Sequence, residues 1–372
     1  MHILYNIAGL YRPAGMERVL TDKANWLVSH GHRVTILTTE QKGRPNAFPL
    51  DARVQTRDLA IGYEDNNGGS LLDKLAHYPA KQRRHRKALE AVLKELKPDI
   101  AISMFCNEVN LLPRIKDGSK KVLEVHFSRF KRLQYGRKGL WALVDGYRSR
   151  QDLRLVKEYS RFVVLTEEDK TYWGDTGNIR VIPNPVNFEP ATPAPLDTKT
   201  VVAVGRYSHQ KGFERLISAW ATVKKNGWKL RLVGDGEKRE ALEKQIDTLG
   251  LKDKVVLGKE ENDMAAVYGG ASIVALSSRY EGLPMVLLEA QAFGVPVVSF
   301  VCKCGPREII EDGKTGLIVP EGDIEALAKA LERLMENDEL RKEMGQNAFR
   351  SAGKWRTDAI MEKWTALFRE IL

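Results

Sequence analysis

Residues 280–298 read YEGLPMVLLEAQAFGVPVV and place two carboxylates, Glu281 and Glu289, on either side of a Gly-Leu-Pro turn. Pro284 suits the first turn of a helix, where its missing N–H costs nothing. Gly282 and Leu283 then stand at the entrance, and the N–H groups of Met285 and Val286 are free to meet an anion at the positive end of the helix. The spacing puts Glu281 outside the helix start and Glu289 on about its second turn. Carboxylates repel phosphate, so beside such a site they suit hydroxyl groups that flank it. A capped helix with an ordinary surface glutamate accounts for the same residues equally well.

A second stretch, VGRYSHQKGF at residues 204–213, follows the apolar run TVVAV, which reads as a strand. Its glycine permits a tight turn, and Arg206 and Lys211 fall on the emerging loop and at the start of the next helix. Arginine can grip two phosphate oxygens at once and lysine acts as a point charge. With free helix N–H groups they make a diphosphate site. Other chemistries have less support. Cys106, Cys302 and Cys304 are too few and too oddly placed for a disulfide framework or a zinc site, so no metal is expected. No Asp-x-Asp occurs, and the first loop lacks the G-x-G-x-x-G turn of a nicotinamide dehydrogenase.

These loops need strands and helices to hold them. HILYNI, then MERVLTDKANWLVSHG with apolar residues at helical spacing, then RVTILTT, form a βαβ unit that begins a parallel sheet. PDIAISMF, KKVLEVHF and RFVVLT continue the strands, with helices such as RHRKALEAVLKELK between them. Residues 183–198 carry five prolines and read as an extended linker. After it the alternation restarts through TVVAVG, WKLRLVG, KVVLG, SIVALSS, PVVSF and GLIVP. A chain of 372 residues is too long for one typical core. The pattern predicts two Rossmann-like, doubly wound α/β domains facing a cleft. The N-terminal, acceptor-side domain is expected over 1–186 plus a C-terminal helix at 356–372, and the donor-binding domain over 187–355. Ile360, Trp364, Leu367, Phe368 and Ile371 share one side of that last helix and are expected to pack rather than bind.

Read together, the two stretches resemble the family-4 retaining glycosyltransferases of the GT-B fold, of the bacterial surface-polysaccharide type. The resemblance covers nearly the whole chain. Its most specific part is G-R-x4-K-G followed by E-G-x-P-x4-E-A-x-A-x-G-x-P-V, with VIPNPV, LVGDG and VLGKEEND as further matches. The resemblance implies that Arg206 and Lys211 hold a donor diphosphate, Glu281 meets the transferred sugar and Glu289 the ribose. Backbone groups of Gly282, Leu283, Met285 and Val286 would support the distal phosphate, and the loop of Gly258 would lie near the base. In the first half it assigns Gly15, in the loop AGMER, to phosphate and His126, in LEVHFSR, to the donor sugar. It also implies retention of anomeric configuration. The co-substrate is a nucleotide sugar, no cofactor or metal is expected, and Arg206, Lys211 and the helix dipole would neutralise the leaving diphosphate. CKCGPREIIEDGKTG is similar to the version found with UDP-galactose-type donors and favours a UDP-sugar. A GDP-sugar (mannosyl) transferase and a sugar-nucleotide epimerase of the same architecture are the nearest alternatives.

The charge is unevenly spread. Residues 1–187 hold 32 of the 59 Lys/Arg and 21 of the 49 Asp/Glu, a net +11, which leaves the remainder at −1. A basic half points to an anionic partner for one domain only. No nucleic-acid-binding module is recognisable, so nucleic acid is not expected. KQRRHRK is read as opening a helix on which Lys81, Arg84 and Lys87, about one turn apart, share a face, with Arg83 and Arg86 completing the basic cluster. FSRFKRLQYGRKGLWALV mixes cations with Phe127, Phe130, Tyr135 and Trp141, a combination that suits a membrane surface. The expected acceptor is a glycan, linked to a polyprenyl diphosphate. The N-terminal HILY lacks a signal peptide's basic start and no apolar run reaches the ~18 residues of a membrane span. The chain is therefore expected in the cytoplasm, peripheral at the inner face of the cell membrane.

Overall fold

In a computed structural model the chain forms two compact units, Met1–Pro183 with Ile360–Leu372, and Asn184–Ala359. The structure describes residues 1–66, 71–131, 139–224, 227–259, 261 and 263–372. Each unit is built on one parallel sheet.

The first unit contains β1 (His2–Ile7), β2 (Arg33–Thr38), β3 (Gln55–Asp58), β4 (Ile100–Ser103), β5 (Lys120–Glu124), β6 (Arg161–Val164) and β7 (Ile179–Val181). They lie in the order β3-β2-β1-β4-β5-β6-β7, and every pairing is parallel. Both faces are covered, as side-chain alternation along β1 shows. Ile3, Tyr5 and Ile7 pack with Leu20, Ala24 and Leu27 of the helix Gly15–Ser29. Leu4 turns to the opposite core, with Leu89, Val92 and Leu93 of the helix Leu71–Leu96. The terminal helix Thr357–Ile371 buries Ile360, Trp364, Leu367, Phe368 and Ile371 in the β1 core, so its tryptophan is a packing residue as expected.

The basic helix differs from its sequence reading. It starts at Leu71, well before KQRRHRK, and runs through Pro79. Proline removes a single N–H, and a helix with hydrogen-bonded turns on both sides can continue past that loss.

The second unit contains β8 (Thr200–Val204), β9 (Lys229–Val233), β10 (Val255–Leu257), β11 (Ile273–Leu276), β12 (Val297–Phe300) and β13 (Gly316–Val319). Their order is β10-β9-β8-β11-β12-β13, again all parallel. The helices Phe213–Thr222 and Ile324–Glu336 close one face with Leu216, Ile217, Trp220, Leu327, Leu331 and Leu334. The proline-rich stretch is extended but is no free spacer. Val186 bridges to Arg356, the Ala194 N–H donates to the Phe293 carbonyl at 2.8 Å, and Leu196 is buried.

In each sheet the strand order reverses once, between β1 and β4 and between β8 and β11. Loops leaving the carboxyl ends of strands at such a reversal diverge and leave room for a ligand.

Candidate functional site

In the second unit the loops after β8 and β11 are stitched together at that reversal. The Ser277 hydroxyl donates to the Lys211 carbonyl at 2.9 Å, and the Arg279 N–H to the Gln210 carbonyl at 2.8 Å. The Gln210 side chain donates to the Tyr280 carbonyl at 3.0 Å, and Arg279 Nη1 to the His209 carbonyl at 2.7 Å. Gly212 makes the fit possible. Its φ is +61°, and a Cβ there would stand 2.5 Å from the Ser277 carbonyl oxygen.

This stitching brings Lys211 and Glu281 together. Lys211 Nζ donates to Glu281 Oε1 at 2.7 Å, with the side chains 18% and 8% exposed. Lys211 lies in the loop, just before the helix Phe213–Thr222 rather than inside it. The buried Ser278 hydroxyl donates to the same carboxylate oxygen at 2.6 Å. The Glu281 main chain is pinned to the loop after β12, its N–H donating to the Lys303 carbonyl at 2.7 Å and its carbonyl accepting from the Cys304 N–H at 3.0 Å.

The helix after Glu281 runs Met285–Ala292, and Pro284 is its cap rather than a member of its first turn. Pro284 itself gives this end no side-chain cap. Leu283 and Val286 are buried, so these positions can offer a ligand their main chain but not their side chains. Glu289 projects from the second turn and accepts from the Tyr268 hydroxyl at 2.6 Å. Tyr268 is itself buried and stacks on Phe293 with centroids 5.8 Å apart.

Two predicted donor residues stand apart from this pair. Arg206 is 76% exposed and lies 3.5 Å from Glu237. Gly258 is engaged by its own unit: its carbonyl accepts from the Tyr207 hydroxyl at 3.0 Å and from Arg239 Nη2 at 2.7 Å. Ser278, Tyr268 and Arg279 were not singled out from the sequence. Ser278 precedes Glu281 by three residues, but an isolated serine at a strand end carries no distinguishing signal.

In the first unit, Gly15 begins the helix Gly15–Ser29, where Ala14 gives no side-chain cap. A Cβ on Gly15 would meet nothing within 4 Å. His126 follows β5, and its side chain is 7% exposed with Nε2 3.1 Å from Glu124 Oε1. That approach is off-axis, and neither ring nitrogen has a well-formed hydrogen bond among the described residues. Glu124 in turn receives Lys23 Nζ on both oxygens, at 2.7 and 2.6 Å. Burial alone would raise the Glu124 carboxyl, but the Lys23 charge, helped by His126, holds it down at about 2. Beyond β4, Glu108 is pushed up to about 7 by burial, although the Ser103 hydroxyl and the Cys106 N–H partly offset the shift.

The basic face is partly consumed by the fold. Lys81 Nζ donates to the Gly62 carbonyl at 2.5 Å, and Arg84 Nη2 to the carbonyls of Ala60 and Ile61. Both cations, Arg84 while still exposed, are engaged by carbonyl oxygens that the turn at 60–62 presents beside the helix, a partnership that no local spacing reveals. Arg83, Arg86 and Lys87 are exposed as well. The second cluster is turned in. Arg129 is buried, donating to Ser149 Oγ at 2.5 Å. Phe127 packs on Phe105 and Phe130 on Tyr172, both with centroids 4.9 Å apart. Tyr135 and the Trp141 side chain lie outside the described residues. Instead, Leu143 and Tyr147, one turn apart on the helix Leu140–Leu155, are 72% and 62% exposed. Among the described residues no helix is long and apolar enough to cross a membrane.

Comparison with known proteins places these sites in context. The model for glycosyl transferases group 1 matches residues 187–351, and that for glycosyltransferase family 4 matches residues 13–190. The chain is 30% identical, over 100% of its length and 99% of the relative's, to a Campylobacter jejuni protein named GalNAc-α-(1→4)-GalNAc-α-(1→3)-diNAcBac-PP-undecaprenol α-1,4-N-acetyl-D-galactosaminyltransferase. It is 29% identical to an uncharacterized glycosyltransferase of Haemophilus influenzae, covering 95% of this chain and 96% of that one. A crystal structure of a mutant of S. aureus TarM, in complex with fondaparinux, α-GlcNAc-glycerol and UDP, superposes with a TM-score of 0.79. It covers 99% of both chains at 17% identity.

Proposed function

Because this chain belongs to the family-4, group 1 glycosyltransferases of the GT-B fold, we propose that it moves a hexose or N-acetylhexosamine from a UDP-sugar to a lipid-linked glycan. The transfer retains anomeric configuration, needs no metal, and serves the assembly of a capsule, O-antigen or exopolysaccharide.

The observation that carries this reading is the Lys211–Glu281 contact at 2.7 Å, set where the second sheet reverses its strand order and followed closely by a helix start without a side-chain cap. A cation, a carboxylate and a helix start that its cap residue leaves without a side-chain cap, at one loop junction, match the two parts of a nucleotide sugar. Lys211 and the helix start take the diphosphate, with Arg206 reaching in from the same loop. Glu281 takes hydroxyls of the transferred sugar and Glu289 those of the ribose, and the family resemblance gives His126 to the donor sugar. In the reaction the anomeric C–O bond to the diphosphate breaks and its electron pair leaves with UDP. The acceptor oxygen bonds to the anomeric carbon and its proton passes to the departing diphosphate. Lys211 and the helix dipole stabilise the charge on the departing phosphate.

UDP is favoured because the TarM structure holds it. The polyprenyl-diphosphate acceptor follows the name of the Campylobacter jejuni relative. Arg83, Arg86 and Lys87, with exposed Leu143 and Tyr147, would bring the chain to an anionic membrane that carries such an acceptor. A thermal-shift screen against UDP, GDP and ADP tests the donor, with UDP expected to stabilise most. Stabilisation by GDP alone would move the reading to a mannosyl-type donor, and by none would remove the donor site. Product analysis with UDP-N-acetylgalactosamine and a synthetic polyprenyl-diphosphate glycan, with and without EDTA, tests transfer, α-configuration and metal independence.

A further inference from the structure

We propose that Glu124 is a positioning residue for His126. Glu124 ends β5 and His126 stands two residues on, a spacing that puts both side chains on one side of an extended chain. Lys23 Nζ bonds both Glu124 oxygens, and the two side chains are 0% and 1% exposed. The ammonium is backed by the Trp364 ring at 3.6 Å and the Tyr5 ring at 5.5 Å. A carboxylate held by both oxygens cannot swing, so Oε1 is a fixed acceptor 3.1 Å from His126 Nε2. A proton on Nε2 would face that carboxylate, although the contact lies off the line of a well-formed hydrogen bond. Nδ1 is buried and, like Nε2, has no well-formed hydrogen bond among the described residues; the proposal gives it the hydroxyl of the bound sugar.

A structural ion pair that merely happens to neighbour a histidine would show the same short contacts, so the test must separate them. The proposal rests on the reading of His126 as a donor-sugar contact. Two double variants both remove the ion pair, Lys23→Met/Glu124→Gln and Lys23→Met/Glu124→Leu. Only the first leaves an oxygen for Nε2–H. Buried pairs replaced by neutral residues of similar volume commonly keep their stability, and matched melting temperatures check this.

Steady-state transfer from UDP-N-acetylgalactosamine to the synthetic polyprenyl-diphosphate glycan is then compared with that of His126→Ala. The glutamine variant is expected to keep kcat about 10-fold or more above the leucine variant, with the same donor KM in both. Equal kcat in the two, alongside a large loss in His126→Ala, overturns the positioning role alone. A wild-type rate in His126→Ala overturns the sugar contact and the positioning role with it. Wild-type protein gives an independent readout that needs no variant of the pair. In a 15N-histidine spectrum of its seven histidines, the signals missing in His126→Asn should show the Nε2–H tautomer. An Nδ1–H tautomer would refute the proposal.

Discussion

Glu281 and Lys211 make a prediction that needs neither sugar nor acceptor. Their 2.7 Å contact is mostly buried, and a hydrogen bond between charged groups contributes roughly 1.5–3 kcal/mol net. A diphosphate that takes Lys211 must draw it from Glu281, so part of that energy is subtracted from nucleotide binding. In Glu281→Gln the side-chain oxygen can still accept from Ser278, but the contact to Lys211 loses its negative charge. Charge-assisted hydrogen bonds are about twice as strong as neutral ones, so roughly 0.75–1.5 kcal/mol is released. Nucleotide affinity should then rise about 3- to 10-fold, although turnover falls because the sugar contact is lost. Lys211→Met should act in the opposite sense. Losing a charge-assisted contact of roughly 1.5–3 kcal/mol weakens binding about 10- to 150-fold. Isothermal titration with whichever of UDP, GDP and ADP the wild type binds best measures both. Weaker binding in Glu281→Gln, or wild-type binding in Lys211→Met, would show that phosphate does not compete for Lys211.

Glu108 predicts a pH dependence. Its carboxyl, pushed up from 4.5 to about 7, keeps its proton in the fold where the unfolded chain has lost it, so stability falls as pH rises from about 4.5 to 7 and levels off above. Glu108→Gln removes that fall, worth up to ~3 kcal/mol, so its melting-temperature gain over wild type should be larger at pH 8 than at pH 5. A gain that does not vary with pH contradicts the assignment. Gly212→Ala should destabilise the second unit by about 1–3 kcal/mol and weaken nucleotide binding, because its Cβ meets the Ser277 carbonyl. A normal melting curve and nucleotide affinity would exclude this. Gly15→Ala meets open space and should leave stability unchanged; a loss of transfer without a loss of melting temperature locates a ligand at that loop. Charge reversal at Arg83, Arg86 and Lys87 should release the protein from anionic liposomes, and undiminished sedimentation with them would rule out this surface.

Much of the fold was legible because it depends on short-range pattern. Buried strands such as VVAV and IVAL are continuous apolar runs, and the loops after β8 and β11 carry their chemistry in sequence order. The edge strands were harder. β3 is QTRD, with three of four side chains exposed, and β7 has three residues, so neither shows an apolar alternation. The site was legible where its residues share a loop and illegible where partners are distant in the chain. Lys23 and Glu124 are 101 residues apart, and nothing near either one announces a buried pair. Lys81, Arg84 and Arg129 read as uncommitted cations for the same reason. Their carbonyl and hydroxyl partners lie about 20 residues away.

The packing of the terminal helix has a consequence for how the chain is made. Trp364, Phe368 and Ile371 belong to the same core as β1, although the whole of the second unit, Asn184–Ala359, is synthesised between β7 and these residues. At ~5–20 residues per second, translation leaves roughly 9–35 s in which the first sheet is complete but one face lacks its covering helix. During that interval the ring that backs Lys23 is absent, and the apolar residues of β1 have only part of their cover. The unit that is begun first is therefore the one finished last, and the second unit can fold while it waits.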